Sequence, residues 1–178
     1  IFPNSPIMDI DYPNNKQYNV KSWYNYYTCY DNIDKIDEIN LHDFSNGTKR
    51  IQKILNNEAI LLNSYKNIYL GDVSQGGTLV FNILNNINRN IGGLLIIKSL
   101  YMHKYINLKQ NKNTPIYIFS GNKDEVYNIT FQKKMLEKLS NYTIYWNIIK
   151  NLDHGSKILE EDLFIINSFS NNLTKIKL

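Results

Sequence analysis

Four short apolar runs set the limits on what this chain can fold into: Ile68–Leu70, Gly93–Ser99 (GLLIIKS), Pro115–Ser120 (PIYIFS) and Tyr142–Ile149 (YTIYWNII). Each is of strand length. The middle two are nearly continuous in apolar residues, the mark of strands buried on both faces. Between them the apolar residues change to helical spacing. Phe44, Gly47, Ile51, Ile54 and Leu55 line one face over His42–Asn57, and Lys49, Arg50 and Lys53 fall mostly away from it. Leu79, Val80, Ile83, Leu84 and Ile87 mark a second helix, Phe131, Met135, Leu136 and Leu139 a third, and Leu159, Leu163, Ile166 and Phe169 a last one. Lys104–Asn113 reads as a polar connector. Alternating strands and helices predict a mostly parallel sheet with helices on both faces, an α/β fold. With 178 residues, the expected unit is a single domain spanning residues 1–178.

Composition narrows the function classes. Charged residues are 20% of the chain and the net charge is only +4, with the lysines scattered, so a nucleic-acid-binding stripe is not expected. The single cysteine, Cys29, excludes a disulfide framework and favours a reducing, cytoplasmic setting. No apolar run approaches the roughly 18–20 residues of a membrane span, which leaves at most peripheral membrane contact. The first residue is Ile1 and not Met, so a fragment or processed product is expected. Ile1–Pro6 reads as the end of a strand, followed by a loop without periodicity to about Trp23. A loop that long is often functional, although its Met8, Tyr12, Tyr18, Val20 and Trp23 could equally pack over the core. Asp31, Asp34, Asp37 and Glu38 lack the glycine and terminal-glutamate spacing of a calcium loop and read as a solvated turn or helix start. No metal site is expected. His42 reads as a surface or capping residue.

The stretch NIYLGDVSQGGTLV, Asn67–Val80, carries the chemistry. A strand, a sharp turn at Ser74 and a helix, with Gly76 and Gly77 following, form the setting of a hydrolase nucleophile elbow. The small neighbours let strand and helix approach while the turn lifts the hydroxyl clear. A serine hydroxyl needs a general base, and the base needs a carboxylate to fix its tautomer and stabilise its cation. Asp124, in SGNKDEVY, and His154, in NLDHGS, supply these types in the order nucleophile, acid, base. All three follow predicted strands directly and so fall on one edge of a parallel sheet, where ligands bind in such folds. Glu125 is the nearest rival to Asp124. His42 and His103 are misplaced in that order, and Asp153 adjoins His154 but is expected to point elsewhere.

The ordered set resembles the acyl-protein thioesterases of the lysophospholipase-like carboxylesterase family. FPNSP followed by SWYN is similar to that family's FPxAP…SWFD, GDVSQGGTLV to its GFSQGGAL, SGNKDEV to its HGxxDxxV, and NLDHGS to its histidine loop. The resemblance implies an α/β-hydrolase fold, Ser74 as nucleophile, His154 as base and Asp124 as its partner. It further implies the Gln75 amide as an oxyanion donor and a loop to Trp23 that lines an acyl-chain groove. Substrates would be acylated proteins, lysophospholipids or small esters, cleaved through an acyl-enzyme with no cofactor. Three departures stand against the pattern. The family's early strands and its HGxGD oxyanion loop would precede Ile1, making this an N-terminally incomplete domain, and one lost oxyanion donor costs roughly 10²–10³ in rate. Asp72 occupies a glycine position. Ser120 and Glu125 replace a histidine and a proline in the acid loop. Asp72 and the missing oxyanion loop favour the rival reading, a degenerate hydrolase fold that binds lipid or protein.

Overall fold

The computed structural model of the chain describes residues 1–13, 15–31, 33–156 and 167. Four strands, β3 (Tyr69–Val73), β4 (Gly93–Ile97), β5 (Ile116–Gly121) and β6 (Ile144–Ile149), form one parallel sheet in the order β3-β4-β5-β6. They are preceded by an antiparallel hairpin of β1 (Ile7–Ile10) and β2 (Gln17–Lys21). The helices are α1 (Leu41–Leu61), α2 (Gln75–Asn86) and α3 (Ile129–Leu136). The helix expected over Leu159–Phe169 lies outside the described residues.

Side-chain alternation along the strands divides the core. Leu70, Leu94, Ile96, Ile116, Ile118, Ile144 and Trp146 turn to one face, where they meet Phe44, Ile51 and Leu55 of α1, Leu79 and Ile83 of α2, and Phe131 and Met135 of α3. Ile97, Phe119 and Ile149 turn to the other face and cluster with Leu152, flanked by Leu95 and Tyr117. Helix α1 begins where Asn40 accepts hydrogen bonds from the amides of His42 and Asp43, satisfying two donors of its first turn. His42 itself is exposed beside Asn46.

Two expectations about the N-terminal stretch are overturned. Ile1–Pro6 contains no strand, and the loop expected to run on to Trp23 holds the β1–β2 hairpin instead. The hairpin gives almost no periodic signal because it buries almost nothing. Ile10 is the one buried residue of its two strands, a bulge shifts the register between Met8 and Ile10, and Asn19 has a positive φ of 54°. The nucleophile strand runs from Tyr69 to Val73 rather than over Ile68–Leu70; among the described residues β3 is an edge of the sheet, as the resemblance with its absent early strands implies, and Tyr69 and Val73 are each 40% exposed.

The carboxyl ends of the strands present Ser74, Lys98, the loop after Gly121 and the loop after Ile149 along one edge. The last two loops are joined directly. Asn122 N donates to Ile149 O at 3.0 Å, Lys123 N to Leu152 O at 3.0 Å, and Asn151 N to the Asn122 side-chain oxygen at 2.7 Å. Gly121 permits this contact, since a Cβ there would stand 2.1 Å from the Leu152 carbonyl oxygen. Backbone cannot yield as a flexible side chain can. Gly121→Ala is therefore expected to lower stability by about 1–3 kcal/mol in urea titration, the usual cost of overpacking.

Candidate active site

Ser74 sits between β3 and α2 with φ 51° and ψ −119°, a conformation that L-residues rarely hold. Neighbouring β4 holds it there. Ser74 N donates to Ile97 O at 2.9 Å, and the Ser99 hydroxyl donates to Ser74 O at 2.6 Å. Thr78 braces Ser99 from α2, its hydroxyl 3.3 Å from that of Ser99 and donating to Leu100 O at 2.9 Å. The elbow is thus pinned from both peptide sides, and the Ser74 hydroxyl points out over the strand ends.

The structure brings together the three residues singled out in the sequence. Ser74 Oγ stands 2.8 Å from His154 Nε2. His154 Nδ1 stands 3.1 and 3.0 Å from the two carboxylate oxygens of Asp124. A carboxylate can only accept, so Nδ1 carries the ring proton, and Nε2 is left as the acceptor for the serine hydroxyl. The Asp124 side chain has no exposed surface and that of His154 is 17% exposed. Asp124 Oδ1 also accepts from the amides of Val126 at 3.0 Å and Tyr127 at 2.7 Å, which fixes the carboxylate without a cation. The Tyr127 ring meets the imidazole edge-on, centroids 5.5 Å apart. Glu125 does not reach the imidazole; its Oε2 accepts from the His154 backbone amide at 3.0 Å. Asp153 turns away to accept from Ser156 N. Beneath this loop, Ser120 donates to Gln132 and accepts from the Trp146 indole at 2.8 Å, while Gln132 donates to Tyr127 O. A serine thus fills the family's histidine position and keeps the strand end tied to α3 and β6.

Gln75 and Trp23 are linked to each other. As the first residue of α2, Gln75 has a backbone N–H that no earlier helical carbonyl can serve, as an oxyanion donor requires. Its side chain has a separate task that the sequence did not reveal. Gln75 Oε1 accepts from Trp23 N at 2.8 Å and Nε2 donates to Tyr24 O at 2.9 Å, tying the segment after β2 to the elbow. The Trp23 ring is buried, only 8% exposed, with Arg50 5.9 Å from its centroid. It faces a cavity of about 320 Å³ beside β3, lined also by Phe2, Asp72, Gly76 and Leu79. Trp23 is thus beside the elbow but is buried rather than open at its mouth.

Asp72 points along the elbow. Its Oδ1 accepts from Val73 N at 2.8 Å, and a Cβ on Gly76 would lie 1.9 Å from Oδ2. Burial raises its pKa, opposed by the Val73 amide and the Trp23 side chain. Among the described residues no group of three His, Cys, Asp or Glu side chains is placed to hold a metal ion, and no helix is long and apolar enough to cross a membrane.

A family model described as phospholipase/carboxylesterase matches residues 1–173. Among solved structures, the chain is similar to Arabidopsis thaliana SOBER1, with a TM-score of 0.79 and 18% identity over 98% of this chain and 83% of that one. It is similar to Zea mays acyl-protein thioesterase 2, with a TM-score of 0.72 and 11% identity over 96% and 80% of the two chains. It also resembles a Bacillus cereus carboxylesterase, with a TM-score of 0.61 and 14% identity over 76% and 64%. No curated protein matches the sequence. At these identities the structural likenesses bear on the fold alone.

Two predictions test the Asp72 environment. Gly76→Ala is expected to destabilise the protein by about 1–3 kcal/mol, and the loss should nearly vanish in Asp72→Gly/Gly76→Ala, as a double-mutant cycle in urea would measure. The second concerns pH. Because the folded-state pKa of Asp72 is raised above its ordinary 3.8, ionisation costs the folded state free energy above the folded pKa, and that cost falls away as pH drops toward 3.8. Asp72→Asn should therefore be more stable than the parent at neutral pH, with the difference shrinking under acid in urea midpoints taken across the series.

Proposed function

The chain belongs to the phospholipase/carboxylesterase family of α/β-hydrolases, and from that premise we propose that it is a serine hydrolase of acyl esters or thioesters acting through Ser74, His154 and Asp124. The observation that carries the reading is the continuous chain of contacts from Ser74 Oγ through both ring nitrogens to a buried carboxylate, at 2.8 Å and 3.0 Å. In the first half-reaction His154 Nε2 takes the hydroxyl proton as Ser74 Oγ adds to the acyl carbonyl carbon. Asp124 stabilises the imidazolium without taking its proton. The Gln75 amide donates to the oxyanion. When the tetrahedral adduct collapses, Nε2 returns the proton to the departing alcohol or thiol, leaving an acyl-Ser74 ester. In the second half-reaction Nε2 takes a proton from water as the water oxygen adds to the same carbon; the adduct then breaks its bond to Ser74 Oγ, which takes the proton back from Nε2, and the carboxylic acid leaves. No metal or cofactor enters these steps.

The finer reading is an acyl-protein thioesterase or lysophospholipase-type activity. Its supports are the motif set, the likeness to a plant acyl-protein thioesterase fold, and the cavity of mixed polarity beside Trp23, whose Phe2, Leu79 and Ile83 side chains offer an acyl chain apolar contact. Under this reading the substrate is an acylated protein, a lysophospholipid or a small ester, met in the cytoplasm or at a membrane surface.

A fluorophosphonate probe on the full-length protein tests the proposal. Labelling should be abolished by Ser74→Ala and nearly so by His154→Ala. Ester hydrolysis should fall by about 10⁴-fold or more for either variant, and by about 10³–10⁴-fold for Asp124→Asn. Absence of labelling would replace the enzyme by the rival, a hydrolase fold that binds lipid or protein without turnover. Activity on a palmitoyl-cysteine peptide, compared with the matched oxyester, separates thioesterase from esterase.

A further inference from the structure

Two charged side chains that take no part in the proton chain grip the peptide that carries His154. Lys98 lies one residue past β4, is only 4% exposed, and has a positive φ of 44°. Its ammonium donates to His154 O at 2.7 Å and to Ser156 O at 2.8 Å. From the opposite loop, Glu125 Oε2 accepts from His154 N at 3.0 Å. The backbone N–H and C=O of His154 are therefore both taken by charged side chains from elsewhere on the strand edge. We propose that Lys98 and Glu125 form a clamp that sets the His154 imidazole between Ser74 and Asp124, which makes both of them positioning residues of the hydrolytic site. The inference rests on the hydrolase reading above.

The energetics single out Lys98. Burying an ammonium is costly, and its direct hydrogen-bond partners are two neutral carbonyls, which offset less of that cost than a bonded carboxylate; the Asp153 carboxylate acts on it only through space. An apolar side chain of similar length would fill the same space without the penalty, so packing alone does not account for a lysine here. Its backbone is also in the left-handed region, and residues held in such conformations cluster at active sites. What the lysine adds is direction. The loop after Asn151 has exposed Gly155 and Ser156, and among its described residues Asp153 ties it internally to Ser156. Charge-assisted hydrogen bonds at both ends of the His154 residue fix the Cα–Cβ vector from which the ring reaches Ser74 and Asp124. A displacement of about 1 Å at such a ring is enough to cost about 100-fold in rate.

The test compares Lys98→Met, Lys98→Arg and Glu125→Ala in the full chain. With a small ester substrate, Lys98→Met should lower kcat by about 10- to 100-fold, leave KM and the urea midpoint unchanged, and be largely rescued by Lys98→Arg. In a His154→Ala background it should reduce the residual rate no further, because its effect passes through the imidazole. A second readout does not depend on turnover: the hydrogen-bonded Nδ1 proton of His154, assigned by its loss in His154→Ala, should exchange with water at least about tenfold faster in Lys98→Met. Glu125→Ala, at an exposed position, should shift both readouts in the same direction and serves if Lys98→Met does not fold. Unchanged kcat and proton exchange in the Lys98 and Glu125 variants overturn the clamp, as does an equal loss in the His154→Ala background. If Ser74→Ala leaves hydrolysis intact, the hydrolase reading fails on its own, and proton exchange still decides the clamp.

Discussion

The site depends on one strained peptide, the turn at Ser74. A non-glycine residue at φ 51° and ψ −119° costs on the order of 1–3 kcal/mol, and it persists only where its surroundings over-determine it. Here the surroundings are the end of the neighbouring strand. Ile97 takes the Ser74 amide and Ser99 supplies a donor to the Ser74 carbonyl. Both anchors belong to β4 or the two residues after it, so the parallel β3–β4 pairing and the elbow form one construction. The pairing of Val73 with Ile97 sets where the turn begins, and a slip of one residue would carry the anchors past it.

Asp72 shows how a departure from a family pattern can be absorbed locally. Where glycine would leave room between strand and helix, the carboxylate occupies the space that Gly76 leaves open, and it turns its oxygen onto the Val73 amide. The cost is partial burial of a charge. That charge is spent on the β3 side of the elbow beside Trp23, while the proton chain runs on the other side through Asp124. Gly76 therefore has a second reason to be glycine in this chain, beyond the approach of strand and helix.

The fold was legible wherever burial imposed a period. Gly93–Ile97 and Ile116–Gly121 read as strands because each is covered on both faces, and α1 and α2 read as helices because one face of each meets the sheet. The hairpin leaves no trace in the sequence because four of the five residues of β2 are exposed and the fifth is only half-buried, so its alternation has no apolar partner to record it. Ser74, Asp124 and His154 were legible through their residue types, their order and their position after strands. The side chains that hold them were not. Lys98 sits within the apolar run GLLIIKS and reads there as the polar end of a strand. Glu125 reads as a competitor for Asp124, and Gln75 reads as an amide donor although its side chain ties down Trp23 and Tyr24. Each of these acts through partners more than 25 residues away, and no local pattern encodes such a contact.

That division follows from what each group must do. The reacting groups are few in kind, since only some side chains can attack, accept or orient, and chemistry restricts their order on a given fold. The holding groups need only a donor or acceptor at the right place, and many residue types meet that need. Around His154 the chain uses two charged side chains on the backbone, where a carbonyl and an amide could have been met by water or by the loop itself. Their value lies in geometry more than in stability. A buried ammonium adds little to folding once its desolvation is counted, but it holds two carbonyls in a fixed direction. An imidazole that must face a hydroxyl on one side and a carboxylate on the other needs its backbone held in that way.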